Sequence, residues 1–242
     1  MQHLIGMECL GYVEWERYCC RVLEQRIKDG FLSPAPVFCG DIRQWIKQGY
    51  ASAYSGLVDL VTAGFPCQPF SSSGLRLGVD DPRNMWPATI EGIRIIRPKF
   101  ALLENVPGIL TNGYFGTVLG DLASAGYDAK WDVFSACEKG APHTRERLFI
   151  VAYAKGERCG GRRFCGDGTQ GIGKGKTTVW AFDRTTNPRC SQVSIWDQPI
   201  SEAVRMDDGI PGKLDRIKAT GNAQVPFVAA TAWSSLIGSL VW

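Results

Sequence analysis

The run Leu57-Val58-Asp59-Leu60-Val61-Thr62-Ala63 passes directly into Gly64-Phe65-Pro66-Cys67-Gln68-Pro69-Phe70-Ser71, and this junction decides the fold. An apolar, strand-like run that delivers a reactive side chain at its carboxyl end is how open α/β sheets build their sites. Pro66 and Pro69 fix φ on either side of Cys67 and restrict the residues before them, which predicts a stiff loop. Stiffness suits a nucleophile held in one geometry. A buried, chemically silent thiol is the other reading of the same octapeptide.

Upstream, residues 7–13 read as a short strand ending at Glu14-Trp15. Residues 16–27 read as a helix, with Tyr18, Val22, Leu23 and Ile27 near helical spacing. Residues 31–36 are a proline-bearing loop, and residues 37–39 a strand closing on Gly40-Asp41-Ile42. Downstream, residues 71–84 are polar and glycine-bearing, a loop. Pro87 opens a helix over 87–96, with Ile90, Ile93 and Ile96 on one face. Residues 100–103 form a strand that ends on Glu104-Asn105-Val106. A helix (115–123), two strands (127–134 and 147–153), a helical stretch from Ser201 and an apolar helix (227–241) complete the pattern. The alternation predicts a mostly parallel sheet covered on both faces. Polar residues recur after successive strands (Glu14, Asp41, Cys67, Glu104), where such a sheet gathers its ligands. A single acidic residue there is otherwise a cap or turn former.

The chain of 242 residues has room for one large domain, and its 45% apolar and 21% charged residues are ordinary for a globular protein. No apolar run approaches the roughly 18 residues that span a bilayer. Nine cysteines without a repeating spacing do not form a disulfide framework, so a reducing compartment is expected. With two histidines and no CxxC pair, no metal site is expected. A net charge of +3 permits a nucleic-acid partner without demanding one. From Lys155 to Lys176 the chain is rich in glycine and basic residues. That segment reads as a solvated linker or as a surface that contacts phosphates. Gly171 to Thr177 lacks the spacing of a phosphate-binding loop and follows no strand.

Taken together, these strand ends resemble the cytosine-C5 DNA methyltransferases in their compact phage and bacterial form. Gly64 to Ser71 matches the catalytic motif, and Glu104-Asn105-Val106 the ENV motif. His143-Thr144-Arg145-Glu146-Arg147 stands where the family has QxRxR. Glu14-Trp15 and Gly40-Asp41-Ile42 match two cofactor-contacting strand ends, and Gly221-Asn222 the C-terminal cofactor motif. The resemblance implies a Rossmann-like α/β sheet that binds S-adenosylmethionine, with Cys67 as nucleophile, Glu104 as acid, and Arg145 and Arg147 holding the base. It implies cofactor contacts from Glu14, Trp15, Asp41, Ile42, Pro66, Trp86 and Asn222. Asn105 is expected to order the loop.

The implied partner is double-stranded DNA, contacted by Gln68, Ser71, Arg76, Arg83, Arg162 and Arg163, with the target base flipped out of the duplex. Residues 1–154 would be the catalytic domain, 155–200 a short basic target-recognition insert, and 201–242 a return to the catalytic domain. The protein would be a cytoplasmic monomer of a bacterial cell or phage-infected host.

One departure matters. The family opens with a strand and glycine-rich turn, DLFxGxGG, whereas residues 1–6 read as the tail of the helix that should follow it. The strand not represented would be the middle one of the sheet, leaving two open edges. A truncated, non-catalytic DNA-binding relic is therefore an alternative to the enzyme. A tRNA cytosine methyltransferase is disfavoured by Gln68. A cysteine hydrolase is disfavoured by the supply of only His3 and His143 as partners.

Overall fold

The computed structural model describes residues 2–66, 84–111, 113–139, 143–156 and 224–238. Its strands form two sheets. β1 (Tyr12–Glu14) and β2 (Val37–Cys39) pair in parallel, with Glu14 opposite Cys39. The second sheet contains β3 (Leu60–Gly64), β4 (Phe100–Asn105), β5 (Tyr127–Ser135) and β6 (Glu146–Ala154), in the spatial order β3-β4-β6-β5. β3 and β4 are parallel, and Gly64 stands opposite Glu104. Both pairings of β6 are antiparallel. The expectation of a mostly parallel sheet is thus corrected. A parallel connection needs a crossover of a dozen or more residues, usually helical, whereas ten residues, 136–145, separate β5 from β6, with the short turn Cys137–Lys139 among the described ones.

β4 shows why the larger sheet reads as a continuous apolar run: both of its faces are covered. Ala101 and Leu103 join Leu148, Ile150 and Ala152 of β6 beneath helices α4 (Trp86–Ile96) and α5 (Tyr114–Ser124). Phe100 and Leu102 face the other way, with Phe149 and Val151. There they pack under α6 (Pro226–Gly238) through Val228, Trp233 and Ile237. α4 follows the sequence closely. Asn84 Oδ1 accepts from the Trp86 backbone N–H at 3.2 Å, and Ile90, Ile93 and Ile96 are all buried. The helix ends at Arg97, whose φ of 54° takes the left-handed conformation, with Pro98 barring continuation.

The smaller sheet carries α2 (Arg17–Lys28) and leads into α3 (Ile42–Lys47). α1 (Gln2–Ile5) precedes it, in agreement with the helical tail read from residues 1–6. A third apolar cluster ties the two sheets together. Trp45, Ala51 and Ile96 pack with Phe38 of β2 and Val61 of β3. Among the described residues, β1 and β2 are both edge strands of the smaller sheet, and β3 and β5 are the edges of the larger one. The predicted strand over 7–13 shrinks to Tyr12–Glu14 because its partner β2 offers three residues to pair with. No disulfide joins the described cysteines, and no described helix is long and apolar enough to cross a membrane.

Candidate active site

Glu104, next to last in β4, carries a largely enclosed carboxylate. Its side chain is 15% exposed, and its Oε1 receives Arg147 Nε at 2.8 Å from β6. The register explains the meeting, since antiparallel pairing sets the last residues of β4 against the first of β6. Burial pushes the Glu104 carboxyl above the ordinary glutamate range. The Arg147 charge, a hydrogen bond from the Gln224 side chain and the Arg145 charge pull it partway back. Arg145 is itself desolvated, which together with the neighbouring Arg147 lowers its pKa. Arg145, Arg147 and Gln224 line one small recess with Phe149, Val225 and Val228. Gly64 borders Glu104 and Gln224 on the β3 side. A methyl group built on it would stand 3.1 Å from Glu104 Oε2 and 3.4 Å from Gln224 Nε2. Glycine here lets the strand that leads to Cys67 run close past the acid, which a larger residue would have to push aside by a few tenths of an ångström.

Asn105 fixes the start of the loop. Fully buried, it donates from Nδ2 to the Phe65 carbonyl at 3.0 Å, and its Oδ1 accepts from the Val106 backbone N–H at 2.8 Å. Phe65 is held from beneath by the Trp86 ring, 5.1 Å between centroids. Pro66 is exposed at the end of this segment. Trp86, expected to line a cofactor pocket, is a core residue in this structure. It is 1% exposed and its indole N–H donates to Asp121 Oδ2 at 2.8 Å, so it packs under the loop without offering a ring face.

The second group of predicted residues stands at the carboxyl ends of β1 and β2. Glu14 Oε1 accepts from the Glu16 backbone N–H at 2.8 Å, and Gly40 N–H bonds the Glu14 carbonyl at 2.9 Å. Trp15 is 63% exposed, so core packing does not account for it. Asp41 caps α3 by accepting from the Arg43 backbone N–H at 2.8 Å. It also binds the Arg43 guanidinium, with NH2 to Oδ2 at 2.6 Å. Those hydrogen bonds hold the Asp41 carboxyl below the ordinary aspartate range. Ile42 leans on the cluster around Trp45. For the adenosine end of S-adenosylmethionine these residues fit in part. A bare indole beside a strand-end carboxylate suits a purine and its ribose, while Asp41 would have to share oxygens already taken by Arg43.

Cys67, Gln68, Ser71, Arg76, Arg83, Arg162, Arg163 and Asn222 lie outside the described residues. So do most of the predicted insert and the helical stretch after Ser201. The sequence reading gave no role to Gln224. The only available signal was its place two residues after Asn222, just ahead of a proline-initiated helix.

A family model, C-5 cytosine-specific DNA methylase, matches residues 2–193. The chain is similar to the type II methyltransferase M.NgoMIV of Neisseria gonorrhoeae, with 31% identity over 61% of this chain and 47% of that protein. It is also similar to M.AquIA of a Picosynechococcus strain, with 34% identity over 64% of this chain and 66% of that one. Among solved structures, an S. pombe Dnmt2 methyltransferase aligns with a TM-score of 0.48 and 19% identity, over 63% of this chain and 46% of the other. The chain spans about half the length of the first of these curated relatives, M.NgoMIV. With the family model matching most of its residues, including both strand-end clusters, the chain belongs to the C-5 cytosine-specific DNA methylases.

Proposed function

We propose that this chain transfers a methyl group from S-adenosylmethionine to C5 of a cytosine flipped out of double-stranded DNA. The observation that carries the reading is the half-buried Glu104–Arg147 pair, 2.8 Å apart, beside Gly64, which stands three residues before Cys67 in sequence. Cytosine C5 is a poor nucleophile while the ring is aromatic. In this reading the Cys67 thiolate adds to C6, forming an S–C6 bond and pushing the C5–C6 π electrons toward N3. Glu104 gives its proton at N3, so the charge that develops there is neutralised. Burial keeps that proton within reach, and Arg147 prevents it from being held too tightly. Arg145 and Arg147 hold the base O2 and the surroundings of the thiol by charge-assisted hydrogen bonds. Once C5 carries the methyl group, N3 returns its proton to Glu104, a base takes the C5 proton, and the C–H electrons re-form the C5–C6 double bond as the S–C6 bond breaks and Cys67 leaves as thiolate.

S-adenosylmethionine, when bound, supplies an electrophilic methyl on a sulfonium. Trp15 would stack on its adenine, Glu14 would accept from its ribose hydroxyls, and Pro66, Ile42, Asp41 and Asn222 would complete the contacts. Gln68, Ser71, Arg76 and Arg83 would meet the DNA near the extruded base. Arg162 and Arg163 would contact phosphates and account for affinity more than for sequence choice.

The test is covalent trapping. Duplex DNA carrying 5-fluorocytosine, incubated with the protein and S-adenosylmethionine, should yield a denaturant-stable adduct, because fluorine at C5 blocks proton loss. Cys67→Ser should abolish the adduct and leave DNA binding in place. An adduct that persists in this variant would sink the assignment. DNA binding with neither adduct nor methyl transfer would instead identify a non-catalytic relic.

A further inference from the structure

We propose that Gln224 is a positioning residue for Glu104, its side-chain amide clamping the carboxyl that Arg147 also holds. The geometry converges from three elements. Arg147 on β6 takes Oε1 at 2.8 Å. Oε2 lies on the β3 side, where the two heavy atoms nearest a methyl built on Gly64 are Oε2 itself at 3.1 Å and Gln224 Nε2 at 3.4 Å. Gln224 hydrogen-bonds the carboxylate from the segment leading into α6. The clamp therefore links a residue far along the chain to the acid at the end of β4.

The consequence is chemical as well as structural. An amide N–H favours the ionised carboxylate, since it donates to an oxygen that is more negative without its proton. Charges that act on Glu104 among the described residues are Arg147 and Arg145, both from the β6 side. β3 contributes only Gly64 at this point, and the approach to α6 contributes the uncharged Gln224. Gln224 thus balances burial with a neutral donor where a third cation would hold the carboxyl ionised. It also stops the carboxyl from rotating about its last bond, so that the proton stays aimed at one position. This rests on the reading of Glu104 as the acid for N3, but the clamp itself is measurable without turnover.

The experiment is a carbon-13 NMR titration of the Glu104 carboxyl in the full chain, wild type against Gln224→Met. Methionine keeps the length and removes the donor. The Glu104 midpoint should move upward; an unmoved or lowered midpoint overturns the proposal. Should the methionine variant fail to fold, Gln224→Lys carries the test with the opposite sign. A cation in the same place should lower the midpoint, and any other result overturns the clamp. In an active preparation, the alkaline limb of the pH–rate profile should shift with the midpoint. Failure of the methyltransferase reading would appear separately, as absence of the 5-fluorocytosine adduct, with the titration result standing.

Discussion

Five of the six residues of β4 are buried, while β1 has none that is fully so. The larger sheet is covered by α4 and α5 on one face and by α6 on the other, and in β6 the five consecutive residues 148–152 are buried. The smaller sheet has two strands of three residues, and at β1 it exposes Val13 and then Trp15. Two-stranded units have little stability of their own. The proposed chemistry divides along the same line. The desolvated acid belongs to the covered half, where burial raises its proton affinity. The nucleoside site we propose belongs to the open half, where the Trp15 ring face is accessible.

Two substitutions test this division at its extremes. Trp86→Ala removes a 1%-exposed ring with a hydrogen bond to Asp121 and should destabilise the fold by about 3–5 kcal/mol in urea denaturation. A loss near zero would mean that the larger half is not the stability core. Trp15→Ala should do the reverse. Stability should change by less than about 0.5 kcal/mol, because the side chain is 63% exposed. Affinity for S-adenosylhomocysteine, read by calorimetry, should fall by about 1–3 kcal/mol, the range for aromatic stacking on a base. A stability loss with unchanged affinity would return Trp15 to a packing role.

The halves also differed in how far the sequence disclosed them. Ile90, Ile93 and Ile96 declared α4 because a 3.6-residue period on a buried face leaves a plain trace. The β4 and β6 runs declared themselves because both faces are covered. Glu104 and Arg147 were legible through their motif positions, but their 2.8 Å contact depends on antiparallel register, which periodicity does not encode. Trp86 is a related case: an indole fits a pocket wall and a core equally well by composition, and its bond to Asp121, 35 residues away, leaves no trace in a local pattern. Gln224 lies 120 positions from Glu104 in sequence, and no local pattern could join them. α3 went unread although Asp41 is an ordinary cap residue, because the helix it starts has only six residues.

Gly64→Ala probes the seam between strand and acid. Its added methyl would press on Glu104 Oε2 at 3.1 Å, closer than such contacts normally run. The expected cost is about 1–3 kcal/mol of stability, the usual range for overpacking, with a displaced Glu104 carboxyl signal in carbon-13 spectra. A neutral substitution with an unchanged signal would show that the carboxylate is free to move away and that the clamp is loose.

The smallest effect at any one pH is also the most direct measure of the buried acid. Unfolded glutamate titrates near about 4.3, and burial holds the Glu104 proton to a higher pH in the folded protein. Between those two values the folded state binds more protons than the unfolded state. Unfolding free energy must therefore fall as pH rises through that window, and above the folded value the penalty is complete and constant. Glu104→Gln has no proton to lose and lacks that slope. Its unfolding free energy, followed by urea denaturation from about pH 4 to pH 8, should gain on the wild type as pH rises and then run parallel to it. The constant offset between the two curves carries the lost Arg147 pair and decides nothing; the slope decides. A difference that is flat with pH would mean that the arginines cancel the burial of Glu104, leaving an acid no better at holding its proton than one in water. A slope of opposite sign would mean that they overwhelm it, and the proton donor for N3 would then have to be sought elsewhere.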